Sequence, residues 1–209
     1  MNPRIHHPLW YQMNGLVDAK EMAFAVGRPD MICTPPMAQF VTRSFVIACQ
    51  QERWEIRTEH PDLVDRIRQI TEKVFGILGE THVGAYGFNF NYQRSTGCGD
   101  VGRRLSKAVR AAGIGFADAE GVGSLKHVSK EGVCQTTVVV ESSPREKSIA
   151  AVGFNMHYDI SELVQGPIRF ELGELIALHF PEAHKAATEQ CQQIVEQLGE
   201  EEDDSGSSN

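Results

Sequence analysis

The sequence is poor in cysteine, in long apolar runs and in positive charge. Its five cysteines are odd in number and widely spaced, which is unlike a disulfide framework or a zinc site. No apolar run is long enough to span a membrane. The first residues, MNPRIHHPLW, lack the apolar core and the cleavage pattern of a secretory signal. We therefore expect a cytoplasmic protein without a membrane partner.

The sequence has 28 acidic and 20 basic residues, which gives a formal net charge of −8. A general nucleic-acid binder needs a broad basic surface, so the charge argues against that class. The acidic run at 200–204 leads into SGSSN. Such a segment has nothing with which to build a core. Residues 200–209 are therefore predicted to form an acidic, Gly/Ser-containing disordered tail.

The rest of the chain has an ordinary globular composition, with 41% hydrophobic and 23% charged residues. Its length allows one large domain or two small ones. We predict a single α+β domain over residues 1–199, with a pair of similar halves, 1–95 and 96–199, as the alternative. The first forty residues give no clear signal for a helix or a strand.

Periodicity predicts the main elements of this domain. Residues 41–49 are rich in β-branched and aromatic side chains, and RWEIR after them alternates, so the two runs predict a hairpin. Apolar side chains recur at helical spacing in 61–78 and in 181–198. We predict a largely antiparallel, curved sheet of about six to eight strands. The two main amphipathic helices are expected to pack on one face of the sheet, leaving the other face polar and partly open.

One short motif occurs twice, as GFNFNYQ at 87–93 and as GFNMHYD at 153–159. Both copies alternate between apolar and polar residues, which predicts strands with one buried and one wet face. If the two strands are neighbours, six polar side chains form one patch. These are Asn89, Asn91, Gln93, Asn155, His157 and Asp159. The plainer interpretation of this patch is the ordinary solvated face of an antiparallel sheet.

Two members of the patch have metal-binding chemistry. His157 and Asp159 could orient each other or hold a metal together with a third ligand. The sequence identifies no third ligand, so we predict no metal site.

The segment TGCGDVG contains three glycines at the spacing G-x-G-x-x-G. They are Gly97, Gly99 and Gly102, and a strand precedes them while a helix follows. A dinucleotide fold uses such a loop to approach a pyrophosphate, but here the preceding strand alternates and the neighbouring segments are hairpins. A weaker prediction is an anion site, in which the backbone at the helix start and Arg103 and Arg104 hold a phosphate or carboxylate. The alternatives are a flexible turn and a solvated helix face.

Cys98 lies in the same loop, where a helix terminus and arginines could lower the pKa of a thiol. A structural thiol is the simpler interpretation. The sequence does not identify a paired acid and base in a closed pocket. We therefore assign no catalytic residue and no cofactor. The first hypothesis is a non-catalytic adaptor that binds another protein or itself. The alternative is an enzyme or sensor that binds a small anionic ligand at residues 97–104.

Overall fold

The computed structural model describes residues 1–111, 124–161 and 171–199, and it divides into two compact units. Unit 1 contains Met1–Val83 and Gly166–His179, and unit 2 contains Gly84–Gln165 and Phe180–Asn209. The predicted tail at 200–209 lies outside the described residues.

The helices of the described chain are α1 (Pro8–Met13), α2 (Ala19–Val26), α3 (Val64–Ile77), α4 (Val101–Ala111) and α5 (Leu172–Gly199), with short 3-10 turns at Pro3–Ile5 and Pro61–Leu63. The strands are β1 (Ile32–Cys33), β2 (Met37–Val41), β3 (Val46–Gln50), β4 (Trp54–Arg57), β5 (Ala85–Ser95), β6 (Ser124–Glu131), β7 (Cys134–Ser142) and β8 (Ile149–Asp159).

The predicted fold class is confirmed, since the chain is α+β and every strand pair is antiparallel. The eight strands form two four-stranded sheets, ordered β1-β2-β3-β4 in unit 1 and β5-β8-β7-β6 in unit 2. A single sheet of about six to eight strands was expected, and the described strands form two sheets. Each sheet has its own helical cover: α3 supplies Ile70 and Val74 to the core of unit 1, and α5 contacts β5 in unit 2.

Unit 1 is a meander of four short strands around an aromatic core. Tyr11 of α1 packs on Phe40 of β2, and Ile47 of β3 lies in the same cluster. The predicted hairpin between β3 and β4 is confirmed, but the strand expected over 41–49 is interrupted. The hydroxyl of Thr42 accepts the N–H of Phe45 at 3.0 Å and donates to the carbonyl of the same residue. This turn ends β2 at Val41, because a side-chain hydroxyl takes over backbone bonds that a sheet would otherwise make.

Helix α1 and helix α2 lie within the first forty residues, where periodicity predicts no clear element. Pro8 is the first residue of α1, a position where its missing N–H costs no helical bond. Asp18 and Glu21 form a capping box at the start of α2, with Asp18 Oδ1 accepting the Glu21 N–H at 2.7 Å. Both signals can be recognised in the sequence, and each marks the start of a helix of only six to eight residues.

Helix α5 begins at Leu172, earlier than the expected start near Pro181, and Pro181 lies inside it. Proline removes the bond to the carbonyl four residues earlier, here that of Ala177. Ala177 is exposed, so water can satisfy this carbonyl. The apolar stripe runs through the proline, with Ile176, Phe180 and Ala183 all buried. Burial of this continuous stripe outweighs the local cost of the proline.

The sheet of unit 2 has one apolar face, and the predicted strand register is confirmed. Its buried side chains are Phe88, Phe90, Phe154 and Met156, whereas Asn89, Asn91, Asn155 and His157 are exposed. The ring of Phe180 in α5 meets the ring of Phe88 edge to face, with centroids 5.1 Å apart. Helix α4 lies against β6 and β7. The two helices therefore cover the apolar face, and the polar face is opposite them.

Candidate functional site

The two copies of the GFN motif are neighbouring antiparallel strands, β5 and β8. The register places these residues opposite one another: Gly87 and His157, Phe88 and Met156, Asn89 and Asn155, Phe90 and Phe154, and Asn91 and Gly153. The glycine of each copy thus faces the fifth residue of the other copy. The third residues, Asn89 and Asn155, face each other. The two copies therefore pair symmetrically about this asparagine pair.

Hydrogen bonds at both ends of the pair show which residues exchange backbone bonds. The Ile160 N–H donates to the Gly84 carbonyl at 2.9 Å, and the Thr96 N–H donates to the Ser148 carbonyl at 3.1 Å. Bonded pairs alternate with non-bonded pairs along an antiparallel ladder. The even-numbered residues of β5 therefore bond to β8, and Asn89 with Asn155 is a non-bonded pair, in which side chains lie closer. The Asn155 Nδ2 donates to the Asn89 Oδ1 at 2.7 Å across this pair.

The two motif glycines lie close to atoms of the facing strand, at positions where a side chain would meet those atoms. A Cβ atom on Gly153 would lie 3.2 Å from the Asn91 Oδ1, and one on Gly87 would lie 2.9 Å from the Met156 carbonyl oxygen. Neither glycine has a positive φ. Gly87 is thus required by the close approach of the β8 backbone, and Gly153 leaves space for the Asn91 side chain.

The polar face continues from β8 onto β7 and β6. Thr137 faces Asn155, and Val128 of β6 faces Thr137, so one transverse row crosses all four strands. An open concavity of about 460 Å³ lies on this face. Its lining includes side chains that the sequence analysis did not assign to the patch: Thr137, Val139 and Glu141. The alternation that could have identified them is hidden in TTVVVE, because valines occupy both faces of β7.

All six residues of the predicted polar patch lie on this one face, as the register shows. His157 and Asp159 are neighbours along β8, but Asp159 is bonded elsewhere. Its Oδ1 accepts the Ser161 hydroxyl at 2.6 Å and the Ser161 N–H at 3.0 Å. These bonds hold the pKa of Asp159 below its usual value. Among the described residues, no group of three His, Cys, Asp or Glu side chains is arranged to hold a metal ion.

The glycine-rich loop leads from β5 into α4, as predicted. Gly97 has a positive φ of 73°, which favours glycine at that position. Cys98 is buried beside Thr96, with its Sγ 2.8 Å from the Thr96 Oγ1. A buried thiol bonded in this way is a structural element of the loop and is shielded from a substrate in solution.

The start of helix α4, where the anion site was predicted, already holds a carboxylate. The Asp100 Oδ1 accepts the N–H of Arg103 at 3.0 Å, and the N–H of Val101 donates to the Lys147 carbonyl at 2.8 Å. The bond from the Arg103 backbone contributes most to the lowered pKa of Asp100. An anion bound by the backbone at this helix start would have to displace the Asp100 side chain. Arg103 is exposed and Arg104 is half-buried, while Gly99 and Gly102 flank the cap.

Comparison with known proteins gives no relative from which to transfer a role, since no protein-family model, curated protein or solved structure matches the chain. Within the described ranges, no helix is long and apolar enough to cross a membrane.

Proposed function

We propose that this protein is a non-catalytic adaptor that binds another protein through the open face of the sheet in unit 2. The observation that supports this is the composition of that face. Val128 is 49% exposed on the edge strand β6, and it adjoins Thr137 and Val139 of β7. Lys126, Lys130, Gln135 and Glu141 flank this apolar cluster. Apolar side chains flanked by polar ones are common at protein interfaces.

The amide side chains on β5 and β8 suit the same role. Asparagine and glutamine both donate and accept hydrogen bonds, so they match the backbone and the polar side chains of a protein partner. The face is a broad surface to which β5, β8 and β7 each contribute at least three side chains. Small-molecule sites bury most of their ligand in an apolar cleft, and a shallow sheet face does not provide that.

The alternative is a binding site for a small anion at residues 97–104. Arg103 and Arg104 supply positive charge there, but the Asp100 carboxylate already accepts hydrogen bonds from the helix start. An anion from solution would compete with the Asp100 carboxylate, which is covalently part of the chain. The protein-binding proposal requires no such displacement, and we therefore prefer it.

Site-specific photo-crosslinking in native cells tests the proposal. A photoreactive residue replaces Val139 on the open face, and a matched variant carries it at Arg145, which is exposed in the turn between β7 and β8. We expect the Val139 variant, and not the Arg145 variant, to crosslink to one protein. That protein, once purified, should bind the wild-type chain and lose binding to Val139→Lys.

Two results would contradict the proposal. The first is the absence of any crosslink from the open face, or identical crosslinks from both positions. The second is a saturable thermal shift with phosphate or nucleotides that is abolished in Arg103→Ala/Arg104→Ala. That result would favour the anion-binding alternative.

A further inference from the structure

The outer edge of β5 presents backbone groups that have no partner within the described ranges. β5 is the terminal strand of its sheet. Because the even-numbered residues bond to β8, the odd-numbered residues direct their N–H and C=O groups away from the sheet. These residues are Ala85, Gly87, Asn89, Asn91 and Gln93, and no described group bonds to their backbone. An edge of this kind is a template for another strand.

The two edges of this sheet differ in how they resist such pairing. Proteins protect exposed edges with charged residues, proline, bulges or short strands. β6, at the opposite edge, carries Lys126, Lys130 and Glu131. β5 is an eleven-residue strand, and it has neither charge nor proline from Ala85 to Gln93. Among the described residues, β6 thus carries charges that protect its edge, and the outer edge of β5 from Ala85 to Gln93 carries none.

The sequence of β5 also indicates what pairs with it. In this fold, GFNFNY already pairs antiparallel with its near-copy GFNMHY, glycine against fifth residue and asparagine against asparagine. A second GFNFNY strand satisfies the same rules. We infer that the outer edge of β5 pairs antiparallel with β5 of a second copy of this chain, about a two-fold axis at Asn89. This inference goes beyond the proposed adaptor role, because it concerns the strand edge and not the open face, and it names the chain itself as a partner.

The hydrogen-bonding pattern fits this pairing. Asn89 is in a non-bonded pair with Asn155 on the inner side, so it forms a bonded pair on the outer side. With the axis at Asn89, Gly87 lies opposite Asn91 of the second copy, and Ala85 lies opposite Gln93 of the second copy. The outward-facing residues then exchange about ten backbone hydrogen bonds. On the apolar face Phe88 lies opposite Phe90 of the second copy, and the two sheets join into one sheet of eight strands.

The oligomeric state of the purified full-length chain tests the inference. We expect a dimer of about 46 kDa in light scattering after gel filtration, twice the 23.2 kDa of the chain. Asn89→Lys and Asn89→Asp place like charges opposite each other at the axis, and each should weaken the dimer. A mixture of the two variants should form a heterodimer about ten-fold tighter than either homodimer. Circular dichroism verifies that each variant is folded.

The matched control is Asn155→Lys, which makes the same change on the same face one strand further in. In the dimer its two copies lie about 14 Å apart, three strand spacings, so it should leave the dimer intact. Hydrogen exchange of the wild type gives a second measurement. The amides of Gly87, Asn89 and Asn91 should become protected as protein concentration rises, because only the outer pairing covers them.

Each alternative outcome is distinct. A monomer whose odd-numbered β5 amides stay unprotected at high concentration would overturn the inference, and it would leave the open-face crosslinking result untouched. A dimer that Asn155→Lys disrupts and Asn89→Lys does not would place the contact on the sheet face, and it would also overturn pairing at the edge. A third outcome combines the two experiments: the open face gives no crosslink, but Asn89→Lys and Asn89→Asp form the expected heterodimer. That result would reject the adaptor role and support the edge pairing.

Discussion

His6 should make the stability of this protein depend on pH in a range where few other groups titrate. The ring is fully buried, and its Nδ1 lies 2.7 Å from the Tyr11 hydroxyl oxygen. The Trp54 indole N–H donates to the same oxygen at 2.9 Å. Burial raises the pKa of Tyr11, so its hydroxyl keeps its proton, and the two side chains share one hydrogen bond. The other ring nitrogen of His6, Nε2, has no partner among the described residues, and burial favours the neutral imidazole.

The magnitude follows from the pKa of His6. Burial, and secondarily the nearby N-terminal ammonium, lower this pKa from 6.5 to about 4. The unfolded chain binds a proton near pH 6.5, while the folded chain resists protonation until about pH 4. Stability is thus complete above pH 6.5 and falls as the pH decreases toward 4. Linkage gives a loss of about 2 kcal/mol between pH 7 and pH 5, and about 3 kcal/mol in total.

Urea unfolding at pH 7, 6 and 5 measures this loss. His6→Asn keeps an acceptor near the Tyr11 hydroxyl but does not titrate, so its free energy of unfolding should fall by about 2 kcal/mol less than that of the wild type. His60→Asn is the control, because His60 is exposed. It should behave as the wild type does. The carboxylates with lowered pKa, such as Asp18, are common to all three proteins, so they cancel in the comparison.

Equal pH dependence in the wild type and in His6→Asn would refute this reasoning. It would mean that His6 is protonated as easily in the folded chain as in the unfolded one. The buried arrangement of His6 with Tyr11 and Trp54 would then be wrong, and with it the packing of α1 on the sheet of unit 1.

Other changes test the packing of unit 2 and the tail. Phe88→Ala should lower the free energy of unfolding by about 3–5 kcal/mol, whereas Gln93→Ala on the open face should change it by less than about 0.5 kcal/mol; urea titration compares the two. Gly87→Ala should cost about 1–3 kcal/mol more than Gly84→Ala, because only the first Cβ meets backbone, and equal melting curves would contradict this close approach. Deleting 200–209 should leave the melting temperature nearly unchanged, and a drop of several degrees would show that the tail docks.

The sequence predicted the register of β5 and β8 because both strands alternate strongly. Aromatic residues at every second position demand a buried face, and a slip by one residue would expose all of them. The burial of Phe88 and the exposure of Asn89 follow from this alone. The same reasoning placed the six polar residues of the patch on one face, although it could not supply the facing strand β7, where valines hide the alternation.

The remaining features depend on contacts that periodicity does not report. Pro181 signals the start of a helix, and only burial of the residues before it shows that the helix continues through. The cap of α4 is a second case. Asp100 stands one residue before the helix, where an aspartate commonly bonds the first N–H groups. The prediction of an anion site at Gly97 to Gly102 did not include the Asp100 carboxylate, which lies in the same loop and bonds the helix start itself.

The position of the glycines is compatible with the pairing proposed for the outer edge of β5. In an antiparallel pair of like strands, a residue and its counterpart lie at equal distances on either side of the axis. Position one then faces position five by a simple rule of symmetry, and the glycine of each strand lies opposite the fifth residue of the other. β5 and β8 both satisfy this rule, with Asn91 facing Gly153 and His157 facing Gly87. β5 satisfies it with itself as well, since Gly87 and Asn91 are four residues apart. The geometry that pairs β5 with β8 is therefore also available for the proposed pairing of the uncharged outer edge of β5 with an identical strand.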